Sequence, residues 1–424
     1  MKSFKSLLGL VAACLMLSVT FFSCPGESGP ATIRYTRWAG TQEAIDFQKL
    51  VDTYTAKHPH ITIETEFLPW GAYWEKVRNS VLSGEAADII SLSQIEAGPY
   101  IGKGVFYKLD DLPGAKELLD QMQPGTKFAV MYGGNIYAMP IGVGVRAMIY
   151  NKKLLQEAGI PLLDNTKPIT WDEWYKIADK LIKKENGKVV QYPAHWHKME
   201  MYEAFIVQCG GKLLDDYTKP TKVLVNSPEG IAGLRMVVDQ IKKDYIPPHT
   251  GDWAGPWGTP DSAIATGKVV FMQTGPWGLG PVIEAGIDYA TAPLPYQKVR
   301  ANRGYVNSLA IAKNSANVNA AWDFIKWVCG PEGQLEFTKT GDLPANKLAV
   351  DKAKAGNTQY PPEIMAAFFS DLESVITGPM LPSGEFGSLL DDVLTQLFQL
   401  KITPEEAAAR LEKEGNEIIK AMFQ

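Results

Sequence analysis

Apolar and polar residues alternate strictly through Ile61-Thr62-Ile63-Glu64-Thr65-Glu66-Phe67, which predicts a half-buried strand. Before it, Ile33 and Tyr35 mark a shorter strand, and Phe47, Leu50, Val51 and Tyr54 recur at helical spacing. After it, Trp74, Val77 and Val81 share one face of a second predicted helix, and Asp88-Ile89-Ile90-Ser91-Leu92 reads as a short buried strand. Strand, helix, strand, helix, strand implies a parallel sheet covered by helices.

The pattern resumes further along. Ala147-Met148-Ile149-Tyr150, Val269-Val270-Phe271-Met272 and Ser308 to Ala312 read as buried strands. Thr170-Trp171-Asp172-Glu173 has the spacing of a capping box, and Trp174, Ile177, Ala178 and Leu181 form the apolar stripe behind it. Ser227-Pro228-Glu229 starts another helix, with proline at its first turn and Ile231, Leu234, Val238 and Ile241 on its face. Trp322, Ile325 and Val328 mark a further helix, and Thr403-Pro404-Glu405-Glu406 caps the last. The fold class is therefore α/β, with material for two domains.

The N-terminus breaks this pattern. Lys2 and Lys5 precede an uncharged apolar stretch from Leu7 to Phe22, then Ser23-Cys24 and the flexible run Pro25-Gly26-Glu27-Ser28-Gly29-Pro30. We read residues 1–23 as a lipoprotein signal peptide, Cys24 as the lipid anchor and 24–31 as a tether. This places the chain outside the cytoplasm, held to a membrane by its lipid. No later stretch is apolar enough to span a bilayer. The formal charge of −5 with no basic block argues against a nucleic-acid partner. Cys209 and Cys329 are the only cysteines after the anchor, too few for a disulfide framework.

Three patterns suggest chemistry. Gly142-Val143-Gly144-Val145-Arg146-Ala147 matches a dinucleotide fingerprint, but that loop must open a helix, and a β-like run follows instead. His195 and His197 with Glu200 and Glu203 could supply metal ligands, although the same stretch could be a loop presenting Trp196. No nucleophile-elbow motif occurs, and no carboxylate pair is marked out for glycoside hydrolysis. The third pattern is aromatic. Of the 11 tryptophans, Trp70, Trp257 and Trp277 stand beside both Gly and Pro, and these with Trp38, Trp196 and Trp253 mostly fall just after predicted strands or before helices. Open α/β sheets bind ligands at the carboxyl ends of their strands. An indole face suits the C–H face of a sugar ring, being large in area and small in conformational freedom. Trp74, on a helical stripe, is expected in the core.

These pieces, in this order, resemble the extracellular solute-binding proteins of bacterial ABC importers, in the maltose-binding-like carbohydrate branch. The resemblance rests on Ala87-Asp88-Ile89-Ile90, Tyr137-Ala138-Met139-Pro140, Ile149-Tyr150-Asn151-Lys152, Ala158-Gly159-Ile160 and Ile169-Thr170-Trp171-Asp172-Glu173. Further on it rests on Gly267 to Met272, Gly275-Pro276-Trp277, Asn307 to Ile311 and Gly341-Asp342-Leu343-Pro344-Ala345.

The resemblance implies a class II periplasmic-binding fold of two lobes with a ligand cleft between them. Matched by position, lobe 1 comprises 32–140 and 296–337, and lobe 2 comprises 147–288 and 345–424. Hinge crossings fall at 141–146, 289–295 and 338–344. Cys209 and Cys329 then lie in different lobes and are expected as unpaired thiols. The implied ligand residues are Trp38, Gln42, Glu43, Trp70, Ser93, Gln94, Arg146, Trp196, Trp257, Trp277, Arg303 and Tyr305, with no cofactor and no metal. Leu92 and Ile95 stand where the maltose type has aromatic and acidic contacts, so a sugar other than maltodextrin is expected. The implied partners are a small carbohydrate and an ABC permease, with the chain itself monomeric and without enzymatic activity. The alternatives are a glycerol phosphate or polyamine ligand on the same fold, or a secreted carbohydrate-active enzyme.

Overall fold

Alternation along Ala31–Trp38 turns Ile33, Tyr35 and Arg37 inward, and the strand pairs in parallel with Ile61–Leu68 on one side and Ile89–Ser93 on the other. The computed structural model describes residues 30–101, 103–217, 219–248, 260–356, 358–378, 381 and 383–422. The expected signal peptide, Cys24 and Trp257 lie outside the described residues.

The first sheet has six strands in the order Leu343–Pro344, Met139–Gly144, Tyr305–Ile311, Ile89–Ser93, Ala31–Trp38, Ile61–Leu68. Tyr305–Ile311 runs antiparallel to both of its neighbours, Ile89–Ser93 and Met139–Gly144. Helix Thr41–Lys57 covers the sheet with Phe47, Leu50, Val51 and Tyr54. Helix Trp70–Ser83 adds Tyr73, Trp74 and Val77 and stops at Gly84, whose φ of 78° is the left-handed conformation that ends many helices.

The second sheet has five strands in the order Tyr289–Ala292, Ala147–Asn151, Val269–Thr274, Lys188–His195, Lys183–Glu185. Its helix Trp171–Leu181 begins at the expected capping box: Thr170 Oγ1 accepts from the Glu173 amide at 3.2 Å, and Glu173 Oε2 accepts from the Thr170 amide at 2.7 Å. One face of this sheet, with Met148, Tyr150 and Phe271, packs under Trp174, Leu234 and Leu394. The other, with Ala147, Ile149 and Met272, joins the apolar cluster of the first lobe. The apolar cluster of the first lobe thus extends onto one face of the second sheet, and a separate cluster covers the other face. Among the described residues, no helix is long and apolar enough to cross a membrane.

The chain first passes between sheets at Val145-Arg146, directly joining one strand to the next. No helix follows Gly142 and Gly144, so these glycines do not form a phosphate loop. The second crossing begins later than 289–295, because Tyr289–Ala292 is itself the edge strand of the second sheet. Residues 338–344 do not leave the first lobe: Leu343–Pro344 pairs with Met139–Gly144, and the Gln123 amide donates to Ala345 O at 2.8 Å. The return to the second sheet comes with helix Pro362–Asp371, where Thr291 Oγ1 donates to Ile364 O at 2.8 Å. A short strand pair, Asn302–Arg303 with Val375–Ile376, ties the second and third passes together. Cys209 and Cys329 are buried and unpaired, and burial pushes both thiols up.

Candidate functional site

The ends of the first-sheet strands, the first crossing and the loop after Val269–Thr274 enclose a cleft of about 410 Å³. It is lined by Arg37, Trp38, Glu43, Trp70, Ser93, Ile95, Gly144, Arg146, Trp277, Tyr305, Asn307 and Asp342. Its size is in the ordinary range for a small-molecule site. Trp277 is the one lining residue supplied by the second lobe among the described residues.

Trp38 ends its strand, and Trp70 opens the next helix after Pro69. Their ring centroids are 5.1 Å apart with planes at 76°, and Trp74 stacks behind Trp38 at 5.9 Å. Trp74 is buried as its helical stripe predicts, and it backs the two rings that line the cleft. On the opposite side a single turn, Pro276–Gly278, presents Trp277, which is 45% exposed. Its ring lies close over Gly144, where a side chain would crowd it. Arg146 stands 5.3 Å from the centroids of both Trp277 and Tyr305, and its Nη2 donates to the Tyr305 hydroxyl at 3.2 Å.

The floor is charged. Arg37 lies on the apolar side of its strand, 1% exposed, with its guanidinium 3.8 Å from the Phe47 ring centroid and 4.7 Å from that of Trp38. Its Nη2 is 3.4 Å from Glu43 Oε1. Glu43 in turn accepts from the Gly40 amide at the start of helix Thr41–Lys57, at 3.3 Å. Asp342 follows the left-handed Gly341 (φ 108°) and accepts from Asn307 Nδ2 at 2.7 Å. Asn307 sits at a register shift in its strand, a device that re-aims a side chain. Burial raises both the Glu43 and Asp342 carboxyls above the usual carboxylate range, against the pull of Arg37. Among the described residues two cations and two carboxyl groups line the cleft, so their formal charges balance.

Of the residues singled out in the sequence, Trp38, Glu43, Trp70, Ser93, Arg146, Trp277 and Tyr305 come together here. Gln42 does not: it lies on the outer face of its helix and donates to Asp46 at 3.2 Å. Gln94 is buried and donates through Nε2 to the Gly378 carbonyl. Trp196 is 2% exposed in the second core, between Trp171 and Trp174, with Nε1 donating to Gln240 at 3.0 Å. Arg303 is buried behind Tyr305 and paired with Glu203. Glu203, one of the four residues of the metal reading, is thereby engaged by a cation. Among the described residues no group of three or more His, Cys, Asp or Glu is placed to hold a metal. Arg37, Ile95, Gly144 and Asp342 also line the cleft and were not among the ligand residues expected from the sequence. A charged residue on the core-facing side of a strand was the available signal for Arg37.

Comparison with known proteins follows the same lines. A family model described as bacterial extracellular solute-binding protein matches residues 49–365. A maltotriose-binding protein from Pyrococcus abyssi (strain GE5 / Orsay) is 29% identical over 289 residues, covering 66% of this chain. The match spans 58% of that relative's length. An ABC substrate-binding protein from Listeria monocytogenes, solved with cycloalternan, superposes with a TM-score of 0.78 at 19% identity, covering 92% of this chain and 99% of the other. The GacH receptor of Streptomyces glaucescens, solved unliganded and with acarbose, gives 0.75 at 20% identity, covering 92% and 98%. At these identities they establish the fold.

Proposed function

The chain belongs to the bacterial extracellular solute-binding proteins, and on that premise we propose that it captures an oligosaccharide in the cleft between its lobes and delivers it to an ABC permease. Cys24 carries the lipid that holds it to the membrane, and the chain works as a monomer. The observation that carries this reading is the pairing of Trp38 and Trp70 on one lobe with Trp277 on the other, across a cleft whose formal charge balances. Indole faces suit the C–H faces of sugar rings. Arg37, Glu43, Asn307 and Asp342 are placed to bond hydroxyls at the floor. Closure follows because both lobes touch the ligand only when shut.

The charge balance of the described lining residues weighs against the phosphate and polyamine alternatives. Arg303, which would have joined Arg146 on a phosphate, is held by Glu203. The names of the relatives bring α-glucosides back among the ligands to try.

Thermal unfolding of the mature chain against maltotriose, galacto-oligosaccharides, glycerol 3-phosphate and spermidine tests this. A ligand at about 100 times its Kd that binds only the folded form adds roughly 2.7 kcal/mol of stability. A saturable upward shift with a sugar is expected. A shift confined to the phosphate or the polyamine overturns the sugar assignment. New reducing ends appearing during incubation would move the protein to the enzymes.

A further inference from the structure

Arg303 stands behind the cleft wall, and its surroundings give it a task other than touching ligand. Its Nε lies 2.9 Å from Glu203 Oε2, and Glu203 is 0% exposed on helix Lys198–Gln208 of the second lobe. Its guanidinium carbon is 5.1 Å from the centroid of the Tyr305 ring. From Tyr305 the contacts continue through Arg146 to Trp277, as described above. A row of side chains, Glu203–Arg303–Tyr305–Arg146–Trp277, therefore runs from a buried carboxylate to the cleft surface.

All three passes of the chain between lobes meet on this row. Arg146 is in the first. Asn302 and Arg303 are in the second, and Asn302 Nδ2 donates to the Arg146 carbonyl at 2.5 Å. Val375–Ile376, in the third, pairs with Asn302–Arg303, and Ile376 O accepts from the Gly304 amide at 2.9 Å. Gly378 lies against Arg303 and Glu203, where a side chain would push the Arg303 guanidinium aside.

A buried ion pair adds little net stability compared with apolar groups of the same shape, because both charges lose their water. What it supplies is a fixed geometry. The flat guanidinium can grip a carboxylate with one edge and stack on a ring with its face. We propose that Glu203 and Arg303 are a positioning pair for ligand binding: they touch no ligand and hold the Tyr305–Arg146–Trp277 wall in place. This rests on the cleft reading above.

The test uses full-length mature protein labelled with 5-fluorotryptophan, with the Trp277 fluorine resonance identified through Trp277→Phe. Glu203→Gln is expected to shift or broaden the Trp277 resonance and leave those of Trp322 and Trp327, in the first lobe, in place. Affinity for maltotriose should fall about tenfold or more, the scale for disturbing a group of contacts that act together. In a Tyr305→Ala background the same Glu203→Gln change should bring little further loss. Should Glu203→Gln fail to fold, Arg303→Lys serves instead, since it keeps the charge and removes the flat stack. An unmoved Trp277 resonance in either folded variant overturns the proposal. So does a loss of affinity that is unchanged when Tyr305 is absent. If the wild-type chain ignores maltotriose, that outcome counts against the sugar reading, and the Trp277 resonance still decides this one.

Discussion

Two clusters of three tryptophans, one in each lobe, are built from similar contacts and meet opposite fates. Trp38, Trp70 and Trp74 touch at centroid distances of 5.1 to 5.9 Å, and Trp171, Trp174 and Trp196 at 5.4 to 6.3 Å. In the first cluster Trp70 is 41% exposed and faces the cleft. In the second all three rings are buried. The interior cluster is supplied with polar partners: Trp171 Nε1 donates to Gln208 at 2.7 Å and Trp196 Nε1 to Gln240 at 3.0 Å. A buried indole usually finds an acceptor for its N–H. Here buried glutamines meet that need for Trp171 and Trp196, while Trp174 Nε1 is buried without an acceptor among the described residues. What separates core from site here is how deeply other elements cover each ring, and neighbours in sequence do not report that.

The sharpest way to break this contrast is Trp174→Ala. We expect a loss of about 3–5 kcal/mol of stability, the usual range for deleting a large core aromatic. Urea unfolding should show it, with ligand affinity of the remaining folded protein unchanged. Next is Gln208→Leu. Gln208 also donates to Pro295 O at 3.1 Å and Ala301 O at 2.9 Å, so its removal strands three buried groups and should lower stability by roughly 2–3 kcal/mol. Trp277→Ala should do the reverse. Half-exposed, it should leave the unfolding midpoint nearly unchanged and weaken ligand binding by about 1–3 kcal/mol in calorimetry. Unaltered binding in that variant would remove Trp277 from the site.

The smallest expected effect concerns the charged floor beside the open cluster. The Glu43 carboxyl is raised in the folded state by burial. The fold therefore binds that proton more tightly than the unfolded chain does, and its stability contribution declines as pH rises through the raised value. Glu43→Gln removes this term. Its stability relative to wild type should climb from acid toward neutral pH, and a flat difference across that range would contradict the assignment.

Much of the fold was legible because its signals are local. Alternation gave Ile61–Leu68, and helical spacing gave the buried faces of Thr41–Lys57 and Trp171–Leu181. Leu343–Pro344, only two residues long, carries no periodicity to set against the crossing that the resemblance implied there. The site was legible where aromatics sit at strand ends, as with Trp38 and Trp277. Trp196 misled because its acceptor, Gln240, lies 44 residues further on, and no local pattern reports that pairing. Gln42 and Glu43 are adjacent, but helical phase turns the first outward to Asp46 and the second inward to Arg37. Arg37 was missed because alternation groups it with Ile33 and Tyr35. Its charge is tolerated there by aromatic faces and by Glu43, which come from other elements.

The position of Tyr305–Ile311 in the middle of the first sheet has a consequence for how the molecule is made. A nascent chain of roughly 300 residues holds Ile89–Ser93 and Met139–Gly144 with the strand between them still missing. The second lobe waits longer, since Glu385–Phe398 and Pro404–Met422 close its core over Pro228–Lys242. Pairings so distant along the chain form slowly, because loop closure precedes any gain from contact. Neither lobe completes its core until these late segments have been made.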